Sequence, residues 1–282
     1  MGNTFEIYEA AWCPGCGNFS ILKCLQKALD ELGREPKDIL MVGGIGQAAK
    51  LPQYISANAF CGLHGRALPA AVAAKMANGN LTVIVDTGDG DSYGEGGNHF
   101  IHNVRRNVDI THFAHDNQIY GLTKGQASPT SMLGMVTGVQ VFGNINEPLN
   151  PALMAIAAGA GFVARGFSGN QEQLVSLMKQ AIAYRGYALV DILQPCVSFN
   201  KLNTFAWYKE RVYELDASFD PRDKAAALGK AMEFGDRIPT GLLYMEEKET
   251  FHEKNPVLKG GETLLGHGKN TETVKKLAAE LI

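Results

Sequence analysis

The chain predicts an α/β fold, a mostly parallel sheet with helices on both faces, plus a charged C-terminal arm. Three observations carry this. Short apolar runs recur at residues 39–42, 81–85, 110–114 and 187–193, each followed by glycine or polar residues. Helical spacing fills intervals between them at 66–76, 97–106, 151–160 and 171–184. Glycine is abundant at 32 residues, and many of these glycines follow the apolar runs. Apolar runs without polar alternation read as strands buried on both faces, and strand–helix alternation makes neighbouring strands parallel.

The first element is a helix over 18–32, where Ile21, Leu22, Leu25, Ala28, Leu29 and Leu32 share a face and Gly33 stops it. The strand at 39–42 runs into GGIG, and the one at 81–85 into DTGDGD. The strand at 110–114 leads to HDN, and the one at 187–193 to QPC. Ligands of such sheets sit at the carboxyl ends of strands. The segments GGIGQ, TGDGDSYG and HDNQIYGLTKGQ all lie at predicted strand exits.

Composition bounds the function. With 282 residues, 45% hydrophobic and 20% charged, the chain is globular and long enough to bury a core. A net charge of -3 gives no basis for nucleic-acid binding. The most apolar stretch, 151–164, falls short of the roughly 20 residues that cross a bilayer. The first 17 residues carry two acids and no base, unlike a secretory signal, so a soluble, cytoplasmic protein without membrane contact is expected. Five cysteines, an odd number, point to thiols with chemical or packing roles rather than to a disulfide framework. Residues 209–282 hold 26 of the charged residues against 29 in the first 208. The chain therefore divides into a domain at 1–208 and a charged, partner-contacting extension at 209–282.

Asp89 in GDGD and Asn117, 26 positions after Asp91, carry the clearest chemistry. A carboxylate and a neutral amide oxygen are ligands that Mg²⁺ takes beside water, carbonyl and substrate phosphates. Gly88 and Gly90 allow backbone N–H groups to approach a diphosphate, with a helix start aimed at it. Alone, GDG is an ordinary turn before a helix. Paired with an asparagine at this spacing, it resembles the thiamine diphosphate motif.

The neighbouring motifs narrow the resemblance. WCPGCG at 12–17, GIGQ at 44–47, LHGR at 63–66, GDGD at 88–91, RRNVD at 105–109, HDNQIYGLTKGQ at 115–126 and QPC at 194–196 occur in that order. Together, over residues 10–208, they resemble the β subunit of 2-oxoacid:ferredoxin oxidoreductases. The resemblance implies a thiamine diphosphate-binding fold and an enzyme subunit inactive without its α subunit, with γ and δ subunits possible in the complex. The implied reaction is oxidative decarboxylation of a 2-oxoacid to CO₂ and acyl-coenzyme A, with electrons passing through a [4Fe-4S] cluster to ferredoxin. Asp89, Asn117 and the Ile119 carbonyl would hold Mg²⁺. Gly88, Gly90, Asp91, Gly121 and Leu122 would meet the diphosphate. Gly44, Ile45, Gly46, Gln47 and His64 would line the cofactor, His64 at the reacting end, and Lys124 would face the substrate carboxylate as a point charge. The substrate is weakly expected to be 2-oxoglutarate or a broad range of oxoacids.

Spacing alone leaves Cys13-x-x-Cys16 open between iron–sulfur ligands, half a zinc site and a redox pair. The resemblance makes Cys13, Cys16 and Cys196 cluster ligands. Where many family members carry a further cysteine after GIG, this chain has Gln47. Cys61, just before LHGR, is the expected replacement, whereas Cys24 lies within the first helix as a packed thiol. His99, His102, His112 and His115 form no metal frame with matching carboxylates, and no GxSxG elbow occurs. Two alternatives stand beside the main reading: a non-oxidative thiamine-dependent decarboxylase or transferase half-site, and a zinc-stabilised binding module.

Overall fold

The computed structural model describes residues 4–261, 263–266 and 270–280. Residues 1–3, and residues 262, 267–269 and 281–282 of the expected arm, lie outside the described residues.

Helix α1 (Gly17–Glu31) opens the fold and is followed by β1 (Ile39–Gly43), β2 (Asn58–Cys61), α2 (Ala67–Ala77) and β3 (Thr82–Gly88). A π-helical turn over Gly90–Glu95 feeds α3 (Gly97–Arg106), and then come β4 (Ile110–Asp116), α4 (Pro151–Ala157), β5 (Phe162–Phe167), α5 (Gln171–Ala183) and β6 (Tyr187–Leu193). The chain continues through α6 (Phe205–Arg211), β7 (Val212–Glu214), α7 (Lys224–Met232), β8 (Ile238–Met245), α8 (Phe251–Lys254) and α9 (Thr271–Ala279).

The strands form one sheet in the order β2-β1-β3-β4-β6-β5-β8-β7, parallel throughout except where β8 runs against β5. Successive strand side chains point to opposite faces, so the central strands feed two cores. Met41, Ile84, Phe113 and Val190 pack with Ile21, Leu25 and Leu29 of α1 and Leu177 of α5. Val42, Val85, Ala114 and Leu189 pack with Ala71 of α2, Phe100 of α3 and Ile156 of α4 on the other face. Both faces are thus covered, as expected of a parallel sheet.

Local signals set the element ends. Asn150 accepts the Leu153 N–H and Pro151 occupies the first turn of α4, while Asn107 closes α3 in the left-handed region. Gly159, at φ 90°, stops α4 short of the expected residue 160.

Two central-domain strands escape the apolar-run criterion. β2 is an exposed edge strand, and β5 is interrupted by Arg165 and Gly166. Arg165 is nevertheless buried, because its guanidinium donates to the carbonyls of Ala231, Glu233 and Pro239 around the end of α7.

The boundary expected at 208 is corrected. β8 pairs antiparallel with β5 through Val163↔Tyr244 and Arg165↔Gly241, and β7 pairs with β8. Ile238, Leu243 and Tyr244 are buried, as are Ala227 and Ala231 of α7. Counting charge obscured this, since the charged residues lie on loops and outer faces while the β8 run is apolar. Only the end of the expected extension is solvated: α9 has no buried residue. Among the described residues, no helix is long and apolar enough to cross a membrane.

Candidate active site

β1, β3 and β4 are neighbours in the sheet, so the loops leaving their carboxyl ends converge. Between them lies a cavity of about 170 Å³. Its wall contains Ile45, Gly46 and Gln47 after β1, Gly88 to Asp91 at the end of β3, and Asn117, Ile119, Gly121 and Leu122 after β4. His64 closes one side. Gly44 stands apart from this wall, against the Asp91 carboxylate.

Asp89 is buried, and its Oδ2 accepts hydrogen bonds from Ser128 Oγ at 2.5 Å and Thr130 Oγ1 at 2.7 Å. Burial pushes its carboxyl above the usual carboxylate range, partly offset by those hydroxyls. A buried carboxylate facing a cavity is costly without a compensating cation, and a divalent ion supplies that compensation. Asn117 Oδ1 accepts the Ile119 N–H at 3.0 Å, and the Asn117 carbonyl takes Asn200 Nδ2 at 3.1 Å. Between them Gln118 is held at φ 58°, a strained conformation for a residue with a side chain, which turns the chain from β4 into the cavity wall. A carboxylate, an amide oxygen and a nearby carbonyl suit a hard cation that keeps waters and phosphate oxygens in its shell.

Asp91 serves as a strut. Its Oδ1 accepts the N–H groups of Gly65 at 2.6 Å and Ile45 at 3.2 Å, tying the loops after β1 and β2 to the turn after β3. His64 lies beside it, with Nδ1 3.3 Å from Glu95 Oε2 and Nε2 3.8 Å from Asp91 Oδ1. Burial raises the Asp91 carboxyl, while the Gly65 and Ile45 N–H groups and His64 oppose the shift.

Several residues of the site went unrecognised in the sequence. Tyr120 lines the cavity, its ring lies against Gly90, and its hydroxyl donates to Glu95 Oε2 at 3.2 Å. Its place inside HDNQIYGLTKGQ was the available signal. Ser128 and Thr130, which hold Asp89, follow that motif in a long irregular segment and offer no periodic cue. Thr130 Oγ1 also lies 2.7 Å from Asp116 Oδ1. Thr130 thus links the two carboxyl groups, with Ser128 a second donor to Asp89. Burial, with the charges of Asp191 and Asp89, pushes the Asp116 carboxyl well above the usual carboxylate range.

Lys124 sits exposed on the rim at φ 75°, outside the cavity wall, in a loop closed by the Tyr120 N–H to Gln126 carbonyl bond of 2.9 Å.

The cysteines divide. Cys16 N–H donates to the Cys13 carbonyl at 3.0 Å at the start of α1. Burial pushes the Cys16 thiol up to about 11, with the Cys196 and Cys13 charges adding to the rise. Gln194 Nε2 donates to Cys16 Sγ at 3.6 Å. Gln194, two positions before Cys196, thus brings the exit of β6 against the start of α1. Cys61, the expected replacement ligand, lies on the edge strand β2 with its thiol facing the carbonyls of Gly44 at 3.5 Å and Gly62 at 3.9 Å. Cys24 is buried with its thiol on the Gln171 carbonyl at 3.7 Å. Among the described residues no three His, Cys, Asp or Glu side chains close around a point as ligands of one ion do. A cluster of four irons and four sulfides asks for a wider ring of thiols. Cys13, Cys16 and Cys196, with an N–H donor already aimed at one sulfur, fit it in part.

Residues 42–192 match the family model described as thiamine pyrophosphate enzyme, C-terminal TPP binding domain. Residues 196–260 match the model for the C-terminal part of the pyruvate ferredoxin oxidoreductase beta subunit. The chain is 47% identical over 255 residues to 2-oxoacid:ferredoxin oxidoreductase 2, subunit beta, of Aeropyrum pernix, covering 86% of this chain and 82% of that one. It is 46% identical over 256 residues to the 2-oxoacid:ferredoxin oxidoreductase subunit beta of Saccharolobus solfataricus, covering 86% and 84%. A solved structure of 2-oxoglutarate:ferredoxin oxidoreductase from Magnetococcus marinus, with 2-oxoglutarate, coenzyme A and succinyl-CoA bound, superposes with a TM-score of 0.89 at 37% identity. The superposition covers 96% of this chain and 92% of that one.

Proposed function

The chain belongs to the β subunits of the 2-oxoacid:ferredoxin oxidoreductase family, and from that premise we propose that it carries the diphosphate–metal half of the active site in an oxidative decarboxylase of 2-oxoacids. It is an enzyme subunit of the thiamine diphosphate class, and its relatives' naming as β subunits implies an α partner. The observation that carries the proposal is the cavity at the β1, β3 and β4 exits, walled by Asp89, Asn117 and Ile119 together with the glycine-rich turns.

When bound, thiamine diphosphate supplies a nucleophilic carbon and a sink for the electrons left by decarboxylation. Asp89, Asn117 and the Ile119 carbonyl hold Mg²⁺. Backbone N–H groups of Gly90, Asp91, Gly121 and Leu122 meet the diphosphate, and Gly88 lets the chain approach it closely. Ile45, Gly46, Gln47 and His64 line the cofactor, with Gly44 backing Asp91. A cavity of about 170 Å³ lies under the ~300 Å³ at which ordinary ligand pockets begin. It therefore accommodates the diphosphate end and leaves the ring system to the α subunit. Lys124, on the rim, offers its ammonium to the carboxylate of the incoming oxoacid. Cys13, Cys16 and Cys196 would be the thiols to hold an iron–sulfur cluster, which would supply one-electron redox chemistry between the cofactor and ferredoxin, with coenzyme A as the acyl acceptor. The complex from Magnetococcus marinus was solved with 2-oxoglutarate, coenzyme A and succinyl-CoA, which supports 2-oxoglutarate among the substrates. The exposed end of the chain, including α9, is the part left for partner contact. Family membership leaves the zinc-stabilised binding module without support.

The test is to co-purify the chain with its α subunit under anaerobic conditions and assay a panel of 2-oxoacids with coenzyme A and a viologen dye. The expected result is dye reduction that requires both subunits, a 2-oxoacid and coenzyme A. Aldehyde release with no dye reduction would overturn the oxidative reading in favour of the non-oxidative one.

A further inference from the structure

Three successive residues of LHGR meet Glu95, the last residue of the π-helical turn that follows Asp89. Gly65 approaches the Glu95 backbone so closely that a Cβ there would lie 2.3 Å from its carbonyl carbon. Arg66 Nη1 donates to the Glu95 carbonyl at 3.1 Å. His64 Nδ1 lies 3.3 Å from Glu95 Oε2. The backbone of Glu95 is thus clamped from two sides, while its carboxylate returns to the histidine next to the clamp. Turns of π geometry recur at functional sites.

Tyr120 completes the arrangement. Its hydroxyl donates to Glu95 Oε2 at 3.2 Å, and its ring is packed on Gly90, where a Cβ would lie 2.1 Å from Cε1. The Glu95 side chain is 44% exposed, and an exposed ion pair by itself holds a histidine loosely. Here the clamped backbone and the phenol restrict the carboxylate before the histidine meets it. His64 and Tyr120 both line the cofactor cavity, and Glu95 stands behind them. A carboxylate only accepts, so the pair favours a proton on Nδ1. His64 Nε2 is 3.8 Å from Asp91 Oδ1, beyond hydrogen-bond reach, and stays available to a ligand.

We propose that Glu95 is a positioning residue, which holds His64 with Nδ1 on its carboxylate and leaves Nε2 to the cofactor. The assignment rests on the proposed function, which puts thiamine diphosphate in this cavity. Tyr120 acts on His64 only through Glu95.

The first experiment uses the full chain with ¹⁵N-labelled histidine rings, read by NMR at about pH 8, where an ordinary imidazole is neutral. His64→Ala identifies the signal. The wild-type ring is expected to carry a proton on Nδ1. Glu95→Ala should move it to Nε2, the tautomer that free imidazole side chains prefer, and Glu95→Gln, which keeps an acceptor, should hold it on Nδ1. The second readout is titration of thiamine diphosphate into the αβ complex at fixed Mg²⁺. Glu95→Ala should weaken binding ~10-fold, but change it less than ~2-fold when His64 is already alanine. An unprotonated Nδ1 in the wild type, or a proton that Glu95→Ala leaves in place, overturns the proposal. So does a loss of affinity that is the same with and without His64. A wild-type complex that binds no thiamine diphosphate overturns the proposed function and this assignment together, whereas binding that Glu95→Ala leaves unchanged overturns this assignment alone.

Discussion

Thr130 Oγ1 lies 2.7 Å from Asp89 Oδ2 across 41 positions of the chain, and Ser128 Oγ approaches the same oxygen to 2.5 Å. The Asp89 carboxylate is thus aimed by hydroxyls from a segment with no regular secondary structure. Two donors on Oδ2 fix the orientation of the group and hold that oxygen away from the remaining face of the carboxylate.

Thr130→Val keeps the shape and removes the donor. Mg²⁺-dependent binding of thiamine diphosphate to the αβ complex should weaken ~10-fold, with far-ultraviolet circular dichroism unchanged. Isothermal titration of the cofactor at fixed Mg²⁺ measures this, and unchanged affinity would show that the Asp89 orientation is set elsewhere.

Gly65 joins the loop after β2 to the turn after β3. It sits at φ 71°, and a Cβ there would lie 2.3 Å from the backbone carbonyl carbon of Glu95. Backbone on that side cannot yield cheaply. Gly65→Ala should cost about 3 kcal/mol from combined strain and overpacking. A melting temperature lower by roughly 6–12 °C is expected for a chain of this size. Calorimetry decides, and an unaltered melting temperature would contradict the close approach.

His112 is fully buried, with Nε2 2.8 Å from Thr87 Oγ1 and 2.9 Å from Ser92 Oγ, and Nδ1 2.7 Å from the Tyr187 hydroxyl. Burial, helped by His115, pushes its pKa down to about 3, so the folded protein holds the ring neutral. In the unfolded chain it titrates near 6.5, so protonation favours unfolding. The stabilisation is complete above about pH 6.5 and is lost as pH falls from there towards 3. Between pH 7 and 5 this one group should remove about 2 kcal/mol of unfolding free energy. Urea titrations at the two pH values should show a smaller difference for His112→Gln than for wild type, whatever the variant's absolute stability.

Strand β8 supplies the antiparallel partner of β5, so a chain ended at residue 208 exposes that edge and strips Ile238, Leu243 and Tyr244 from the core. It should be recovered only in the insoluble fraction. A chain ended at residue 260 loses no residue that is buried among the described ones and should melt within ~2 °C of the full chain. Equal solubility of the two would restore 208 as a boundary.

Much of the fold was legible because burial leaves a mark on composition. The expected strand at 187–193 and helix at 97–106 coincide with β6 and α3, since an unbroken apolar run and a clear helical face each have a single burial solution. β2 left no such mark, being exposed, and β5 hid behind Arg165, whose charge is met by carbonyls from a distant helix end. That Asp89, Asn117 and the glycines line one cavity was legible because loops leaving the carboxyl ends of neighbouring parallel strands converge. Ser128, Thr130 and Tyr120 were not, because a hydroxyl or a phenol in a loop has no partner until the loop closes.

By itself, the amino-acid order determined the α/β class, the family and the polar groups at each strand exit, because periodicity and motif chemistry are local properties. Only the tertiary structure decided which of those atoms meet. It set the Cys61 thiol on the Gly44 carbonyl, joined the Trp12 indole to the Gln47 carbonyl, and drew the C-terminal strands into the sheet. These are contacts between residues far apart in the chain, fixed by sheet order and packing rather than by any segment's own preference.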